Sequence, residues 1–352
     1  MDSLTQAVLG AGISGAMLGR FHGRKALLAG AVLATLPDLD VFIENGDPVS
    51  AMINHRGFSH SVFVLTGLAV LLAWALRRWR PSQDYGATRL FLAIWLILIT
   101  HPLLDAFTSY GTQLLWPFRP TPTSWSSIFI IDPFFTLPLL AAVVAGFIGG
   151  LEKRPPRALN WALGFSVVYL ALSLLGKSVV ETRVHNMLTQ QGLQVQAMFS
   201  TPEPFNILLW RVVARTDNDQ YVEAVSSLLD RSAPEHVRLA LNTNLAKSLP
   251  DSLQLAGLRW FTDNWLRYDE IDGQLIVTDL RMGLGTGFYS FRFRMAERTQ
   301  PNGAWQAVVP SRWPSDRGQS ELWATLTRIW QQTPPLPLDK WEQRMTGAVR
   351  SQ

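Results

Sequence analysis

Four apolar stretches in the first half of the chain limit what it can fold into. They run over Ser59–Leu76, Leu90–Phe107, Pro133–Gly149 and Trp161–Val180. Each is close to the ~20 residues that a helix needs to cross a bilayer. In hydrocarbon every backbone N–H and C=O must be bonded within the chain, so such runs become helices. Only 16% of the chain is charged, against roughly 25% in soluble domains, and the shortage is concentrated in residues 1–180. The expected fold is an α-helical membrane domain over 1–180, with four firm transmembrane helices, or more if short ones are counted. A small soluble α+β domain over 181–352 should follow it.

Two further stretches, Leu4–Leu18 and Ala26–Leu36, are rich in Gly and Ala but shorter. Small residues let helices approach closely in a membrane, so these read as short packed helices whose crossing is left open. The basic turn Arg20-Phe21-His22-Gly23-Arg24-Lys25 separates them.

Loop charge sets an orientation. Arg77, Arg78, Arg80 and Arg89 lie in one connection and Lys153, Arg154 and Arg157 in another, whereas Tyr110–Asp132 carries only Arg119. The positive-inside rule puts both basic loops in the cytoplasm. Asp38–His60, the His101–Asp105 end and everything after Glu181 then fall outside. Trp74, Trp79, Trp116, Trp125 and Trp161 fall near span ends, as in an interfacial aromatic belt. The net charge of +4 is accounted for by loop Lys and Arg, so the expected partner is the lipid bilayer and no nucleic acid is expected. Oligomeric state is not legible. The absence of cysteine excludes disulfides and thiolate ligands. The N-terminus lacks the basic region of a cleaved signal peptide.

After Glu181 the pattern changes to strand-like segments over Phe205–Ala214, Tyr221–Leu228, Gln274–Leu280 and Phe288–Met295. Asp272-Gly273 is a hairpin signal, and Ser252–Trp265 and Ser320–Gln332 read as helices. Arg281–Gly287 is glycine-rich, but it lies between two expected strands and lacks the strand-then-helix context of a phosphate loop. It reads as a turn.

Polar groups set into the apolar half carry the chemistry. Asn54-His55-Arg56-Gly57-Phe58-Ser59-His60-Ser61 stands at the mouth of the first long run, and His101 lies inside the second, one helical turn before Asp105. Asp38 and Asp40 follow Pro37, where a short helix should end. Ionisable groups in a membrane are costly and tend to mark a working cavity. Imidazole and carboxylate together suit zinc, with manganese or iron as alternatives, better than magnesium or calcium. Such a divalent ion lowers the pKa of a coordinated water. Arg56 is placed to take an anionic oxygen, most naturally of a phosphate, and Ser59 and Ser61 to support the ligands. Plainer readings stand beside these: Asp38-Leu39-Asp40 as a helix cap, His55 and His60 as solvated groups, His101 and Asp105 as a pair that ties helices together.

The ordered set Met1-Asp2-Ser3-Leu4-Thr5, Leu36-Pro37-Asp38-Leu39-Asp40, His55-Arg56-Gly57-Phe58-Ser59-His60-Ser61 and His101-Pro102-Leu103-Leu104-Asp105 resembles the bacterial inner-membrane proteins of the YdjM/YbcI type. The likeness extends through Ser124-Trp125-Ser126 and Ile131-Asp132-Pro133 into Pro202–Arg211 and Trp260–Gly283. That family is described as membrane-bound metal-dependent hydrolases. The resemblance implies a metal site of Asp38, Asp40, His55, His60, His101 and Asp105. Members often carry Thr-His near the start, where this chain has Thr5-Gln6. Gln6 is a poorer ligand, and Asp2, on the same helix face, is placed to compensate. The arrangement is also similar, by analogy only, to helical zinc phospholipases and nucleases.

These readings lead to a metal-dependent hydrolase. Activated water would attack a phosphoester or lipid-linked substrate at the periplasmic membrane face, with Asp38 or Asp40 as general base and Arg56 offsetting phosphoryl charge. The alternative is a non-enzymatic envelope binding or assembly protein with a structural metal site.

Overall fold

The computed structural model describes residues 1–152, 156–247, 249, 252–300, 303–315 and 319–346. Lys153 and Arg154 of the second basic loop therefore lie outside the described residues. Two compact units are resolved. One comprises Met1–Glu44 and His55–Ser173, the other Asn45–Asn54 and Leu174–Gln352.

In chain order the first seven helices are α1 (Ser3–His22), α2 (Arg24–Thr35), α3 (Pro48–Asn54), α4 (Val62–Trp79), α5 (Ala87–Ala106), α6 (Pro133–Gly149) and α7 (Arg157–Gln190). All but α3 contribute to the first unit. Side-chain caps start three of them, satisfying N–H groups that a helix leaves open. Asp2 accepts from Thr5 N, Ser61 from Phe63 N and Val64 N, and Asp132 from Phe134 N and Phe135 N. Gly23, at φ 55°, ends α1 and turns the chain directly into α2. The small-residue expectation holds where α1 meets α2: a Cβ added at Gly10 would lie 2.5 Å from the Gly30 carbonyl oxygen.

Length and composition mark α4, α5 and α7 as able to cross a membrane. The fourth expected span forms as α6, but at 17 residues it is a shorter apolar helix. Among the described residues three helices are thus long and apolar enough to cross a membrane, and the fourth expected span is not confirmed. Their outward faces carry Phe63, Val70, Leu71, Trp74, Trp161, Val167 and Leu175 exposed, the surface that a bilayer rather than water would cover.

The second unit has two four-stranded antiparallel sheets. The first is β1 (Val195–Pro202), β2 (Leu209–Thr216), β3 (Gln220–Ser227) and β4 (Glu235–Ala240), in that spatial order. The second is β5 (Leu266–Ile271), β6 (Gln274–Asp279), β7 (Arg292–Glu297) and β8 (Gln306–Arg312), also in sequential order. Helices α8 (Asn244–Lys247) and α9 (Leu253–Thr262) connect the sheets, and α10 (Gln319–Arg328) and α11 (Leu338–Thr346) follow. Trp210, Val212, Ala214, Val222 and Ala224 pack with Val180, Val184 and Leu188 of α7. Val213 and Tyr221, on the opposite face, pack with Trp265, Leu280 and Tyr289.

The α+β character expected of this region is present, with local differences. The strand expected from Phe205 starts only at Leu209, because Asn206 Oδ1 accepts from Leu208 N and Leu209 N and closes a turn. Phe288–Phe291 precede β7 instead of joining it. Asp272 and Gly273, both left-handed, make the expected β5–β6 hairpin turn. Arg281–Gly287 is a short 3-10 turn and loop, with Gly285 N donating to Glu203 Oε1 at 2.6 Å.

Candidate metal centre

Four side chains of the first unit converge. Asp38 and Asp40 lie on a 3-10 turn over Pro37–Phe42, and His60 ends a second such turn just before α4. His101 and Asp105 occupy one face of the last turns of α5. One ligand atom each from Asp38, His60, His101 and Asp105 falls within a group whose members all lie within 4.8 Å of one another. His60 Nε2 is 3.2 Å from Asp105 Oδ2 and 3.5 Å from Asp38 Oδ1. His101 Nε2 is 3.3 Å from Asp38 Oδ1 and 3.5 Å from Asp105 Oδ2. A tetrahedron with bonds of about 2.0–2.1 Å has edges of roughly 3.3–3.4 Å, and these four separations are of that size.

Whether these residues fit a cation is decided by their unused atoms. His60 Nε2, His101 Nε2 and Asp105 Oδ2 are buried and have no hydrogen-bond partner among the described residues. Buried polar atoms are normally paired, and three converging exceptions call for an occupant. The other atom of each group is held. His101 Nδ1 donates to the Ala34 carbonyl at 2.6 Å, which fixes the tautomer and turns Nε2 inward. His60 Nδ1 pairs with Ser59 Oγ at 2.9 Å. Asp105 Oδ1 receives the Met1 α-amino group, Gln6 Nε2 at 3.2 Å and Arg56 Nη2 at 3.1 Å. Oδ2 is left bare.

Exposure is uneven across the set. The side chains of His60, His101 and Asp105 are at most 1% exposed, while that of Asp38 is 24% exposed. The cluster is therefore reached past Asp38. Burial by itself disfavours the Asp38 carboxylate, but the imidazoles of His101 and His60, 3.3 and 3.5 Å away, hold it well below the usual range. Burial likewise opposes charge on His60, and the carboxylates of Asp105 and Asp38 beside its Nε2 outweigh it and raise its pKa. A proton and a metal ion thus compete for the same atoms.

The remaining expected site residues stand around this set. Asp40 Oδ1 accepts from His55 Nδ1 at 2.8 Å, and its Oδ2 accepts from Arg56 N at 3.0 Å and Ser59 Oγ at 2.7 Å. Asp40 and His55 are therefore a pair beside the four-residue group, joined to His60 through Ser59. Arg56 is 4% exposed. Besides Asp105, its guanidinium reaches Thr108 Oγ1 at 3.2 Å and lies 5.0 Å from the Tyr110 ring centroid. Its backbone is left-handed, at φ 61°. Ser61 caps α4 and donates to the Trp116 carbonyl at 2.6 Å. Asp2 caps α1, whereas Gln6 reaches both Asp105 and the His101 carbonyl.

Three participants are not legible in the sequence as site residues: the Met1 α-amino group, the Ala34 carbonyl and Thr108. Backbone groups carry no residue-type signal. Thr108 has one, since a Thr three residues after Asp105 can return to the end of the same helix, and its hydroxyl does donate to the Asp105 carbonyl at 2.7 Å.

The chain has relatives among known proteins. YfhP of Bacillus subtilis is 28% identical over 232 residues, covering 63% of this chain and 67% of that protein. The inner membrane protein YbcI of Escherichia coli is 35% identical over 96 residues, covering 26% of this chain and 54% of its own length. No solved structure matches significantly. The model of the YdjM inner membrane protein family matches residues 1–180, the half of the chain that holds the whole cluster. The chain belongs to the YdjM inner membrane protein family.

Proposed function

We propose that this protein is a membrane-bound metal-dependent hydrolase that cleaves a phosphoester, carried by a lipid or a lipid-linked substrate. The observation that carries the reading is the set of three bare, buried ligand atoms, His60 Nε2, His101 Nε2 and Asp105 Oδ2, facing the partly exposed Asp38. A divalent ion, zinc by the donor set, would activate water as the nucleophile there and withdraw charge from a phosphoryl oxygen.

The chain's own residues do the rest. Asp38 lies on the open side, where its second oxygen can orient water or accept its proton. Arg56 acts through Asp105, holding Oδ1 so that Oδ2 stays turned to the site. His55 is part-exposed with Nδ1 held by Asp40, so its Nε2 is the atom placed to pass a proton to a leaving group. Leu39, Val41, Phe42 and Phe58 are exposed beside the two ligand turns, a surround that suits an amphiphile better than a free phosphate.

The basic residues Arg77, Arg78 and Arg89 are at the opposite ends of α4 and α5 from His60 and His101. At 1.5 Å per residue, the 18 residues of α4 separate these ends by about 27 Å. The positive-inside rule then favours the periplasmic face for the site and for the second unit, in a multi-pass arrangement. The deep burial of three ligands also fits the second reading, a structural metal in an envelope assembly protein.

The test is elemental analysis of the purified protein beside a His60→Ala/His101→Ala variant, followed by phospholipid and lipid-phosphate turnover. Stoichiometric metal lost in the variant, with turnover lost alongside it, supports the hydrolase. Metal without turnover on any such lipid moves the reading to the structural site.

A further inference from the structure

The second unit holds a cleft of about 430 Å³ that the metal chemistry does not use. Its walls come from the β2–β3 turn, α8, α9 and β5. Arg215, Lys247 and Arg259 line it, with one carboxylate, Asp219. That carboxylate is engaged, since Asp219 Oδ2 accepts the Thr243 N–H at 2.9 Å. Arg215 lies 4.5 Å from the Trp265 ring centroid and reaches only the carbonyls of Asp263 and Asn264, each at 3.4 Å. Arg259 Nε approaches the Tyr268 hydroxyl at 3.4 Å. Among the described residues, none of the three cations forms an ion pair. The neighbouring buried Arg211, Arg267 and Arg281 all do.

The contrast is informative. This unit pairs Arg211, Arg267, Arg281 and Arg328 with carboxylates, yet gathers around one concavity three cations without such a partner. Like charges in a cleft repel and raise its potential, which an anion relieves. Two guanidinium forks and an ammonium are a donor set suited to phosphate oxygens. The volume falls within the roughly 300–1,000 Å³ of small-molecule sites and is far larger than a bare phosphate fills. Leu241, Leu266 and Tyr268 add a less polar wall.

We propose that this cleft binds a phosphate-bearing organic anion. Arg215, Lys247 and Arg259 hold the phosphate oxygens, and the Leu241–Leu266–Tyr268 wall takes the attached group. The site is independent of the metal centre and uses none of its residues.

The test is calorimetric titration of the full chain, in discs of uncharged lipid, with inorganic pyrophosphate. It is repeated on His101→Ala, on Lys247→Gln/Arg259→Gln, and on Arg298→Gln, whose arginine is paired elsewhere with Glu270. Saturable heat should persist in His101→Ala and Arg298→Gln, and the dissociation constant should rise at least about tenfold in the double variant. Displacement by sn-glycerol 3-phosphate identifies a free organophosphate. Loss of the pyrophosphate heat only when phosphatidic acid is in the disc identifies a headgroup. No heat up to roughly 10 mM pyrophosphate overturns the proposal. So does heat that vanishes with His101→Ala, which assigns it to the metal centre, or equal weakening in Arg298→Gln, which assigns it to general surface charge.

Discussion

The imidazole of His101 is aimed by a peptide carbonyl 67 residues away: its Nδ1 donates to the Ala34 oxygen at 2.6 Å, and Nε2 therefore faces Asp38 and Asp105. Ala34 belongs to α2, which is held close to α1 at Gly10 and Gly30. The orientation of a ligand thus rests on a helix contact built from residues without side chains.

Widening that contact should be felt at the metal. A Cβ at Gly30 would lie 2.3 Å from the Gly10 carbonyl oxygen and 2.5 Å from Ser14 Cβ. Gly30→Ala should cost about 1–3 kcal/mol of stability, as overpacking does, and should speed release of metal to a chelator. Gly67→Ala, where nothing lies within 4 Å, should change neither. Unfolding in detergent and metal retention, measured on both variants, check this.

Single removal of a ligand should separate the inner four from the outer pair. His60→Ala or His101→Ala should abolish stoichiometric metal, whereas His55→Ala should retain it and lose turnover. Elemental analysis of the three proteins decides the matter, and loss of metal in His55→Ala would enlarge the ligand set.

Breaking the Arg56–Asp105 contact should be severe. Both side chains are buried, at 5% and 1% exposure. Removing one partner of a buried pair costs up to about 3–5 kcal/mol, and here less than the full amount, because the Met1 α-amino group still faces Asp105 Oδ1. Arg56→Met is expected to lower the thermal midpoint markedly, and Arg56→Lys to recover only part of it, because an ammonium cannot reach Asp105 and Thr108 with one planar fork. Equal midpoints for wild type and Arg56→Met would refute the assignment.

In the second unit, Glu203 sets a pH dependence. Burial raises its pKa from 4.5 to about 7, opposed by the Gly285 N–H and by Arg211, with Glu223 adding to the rise. The folded state therefore binds the Glu203 proton more tightly than the unfolded chain. Its contribution to stability is full below about pH 4.5 and is lost as pH rises to about 7, by roughly 3 kcal/mol in all. Glu203→Gln should flatten that part of the curve, as read by denaturant unfolding at several pH values.

Much of the first unit was legible because lipid leaves few choices. Long apolar runs become helices, and the caps at Asp2, Ser61 and Asp132 sit at the expected starts. Asp38, His60, His101 and Asp105 stood out as polar groups in apolar surroundings, although their separation from Asp40 and His55 is a matter of side-chain direction that spacing does not encode. In the second unit, β2 and β3 are buried on both faces through Trp210, Val213 and Tyr221, which erases the alternation that reveals a strand's edges. β1 and β8 lack that signal for the opposite reason: they carry many polar, partly exposed residues. The three unpaired cations of the cleft come from three elements, β2, α8 and α9, and no local pattern announces them.

Residues 45–54 have a consequence for how this protein can be divided. They join the turn bearing Asp38 and Asp40 to the turn bearing His55 and His60, yet they cluster with the second unit, where α3 meets α9 and a Cβ at Gly257 would lie 2.7 Å from Ile53 Cδ1. A gene cut at the end of the family-matched half would deprive this tether of its mooring and leave the two ligand turns joined by slack chain. In such a fragment Val49, Met52 and Ile53, buried in the full chain, should become exposed.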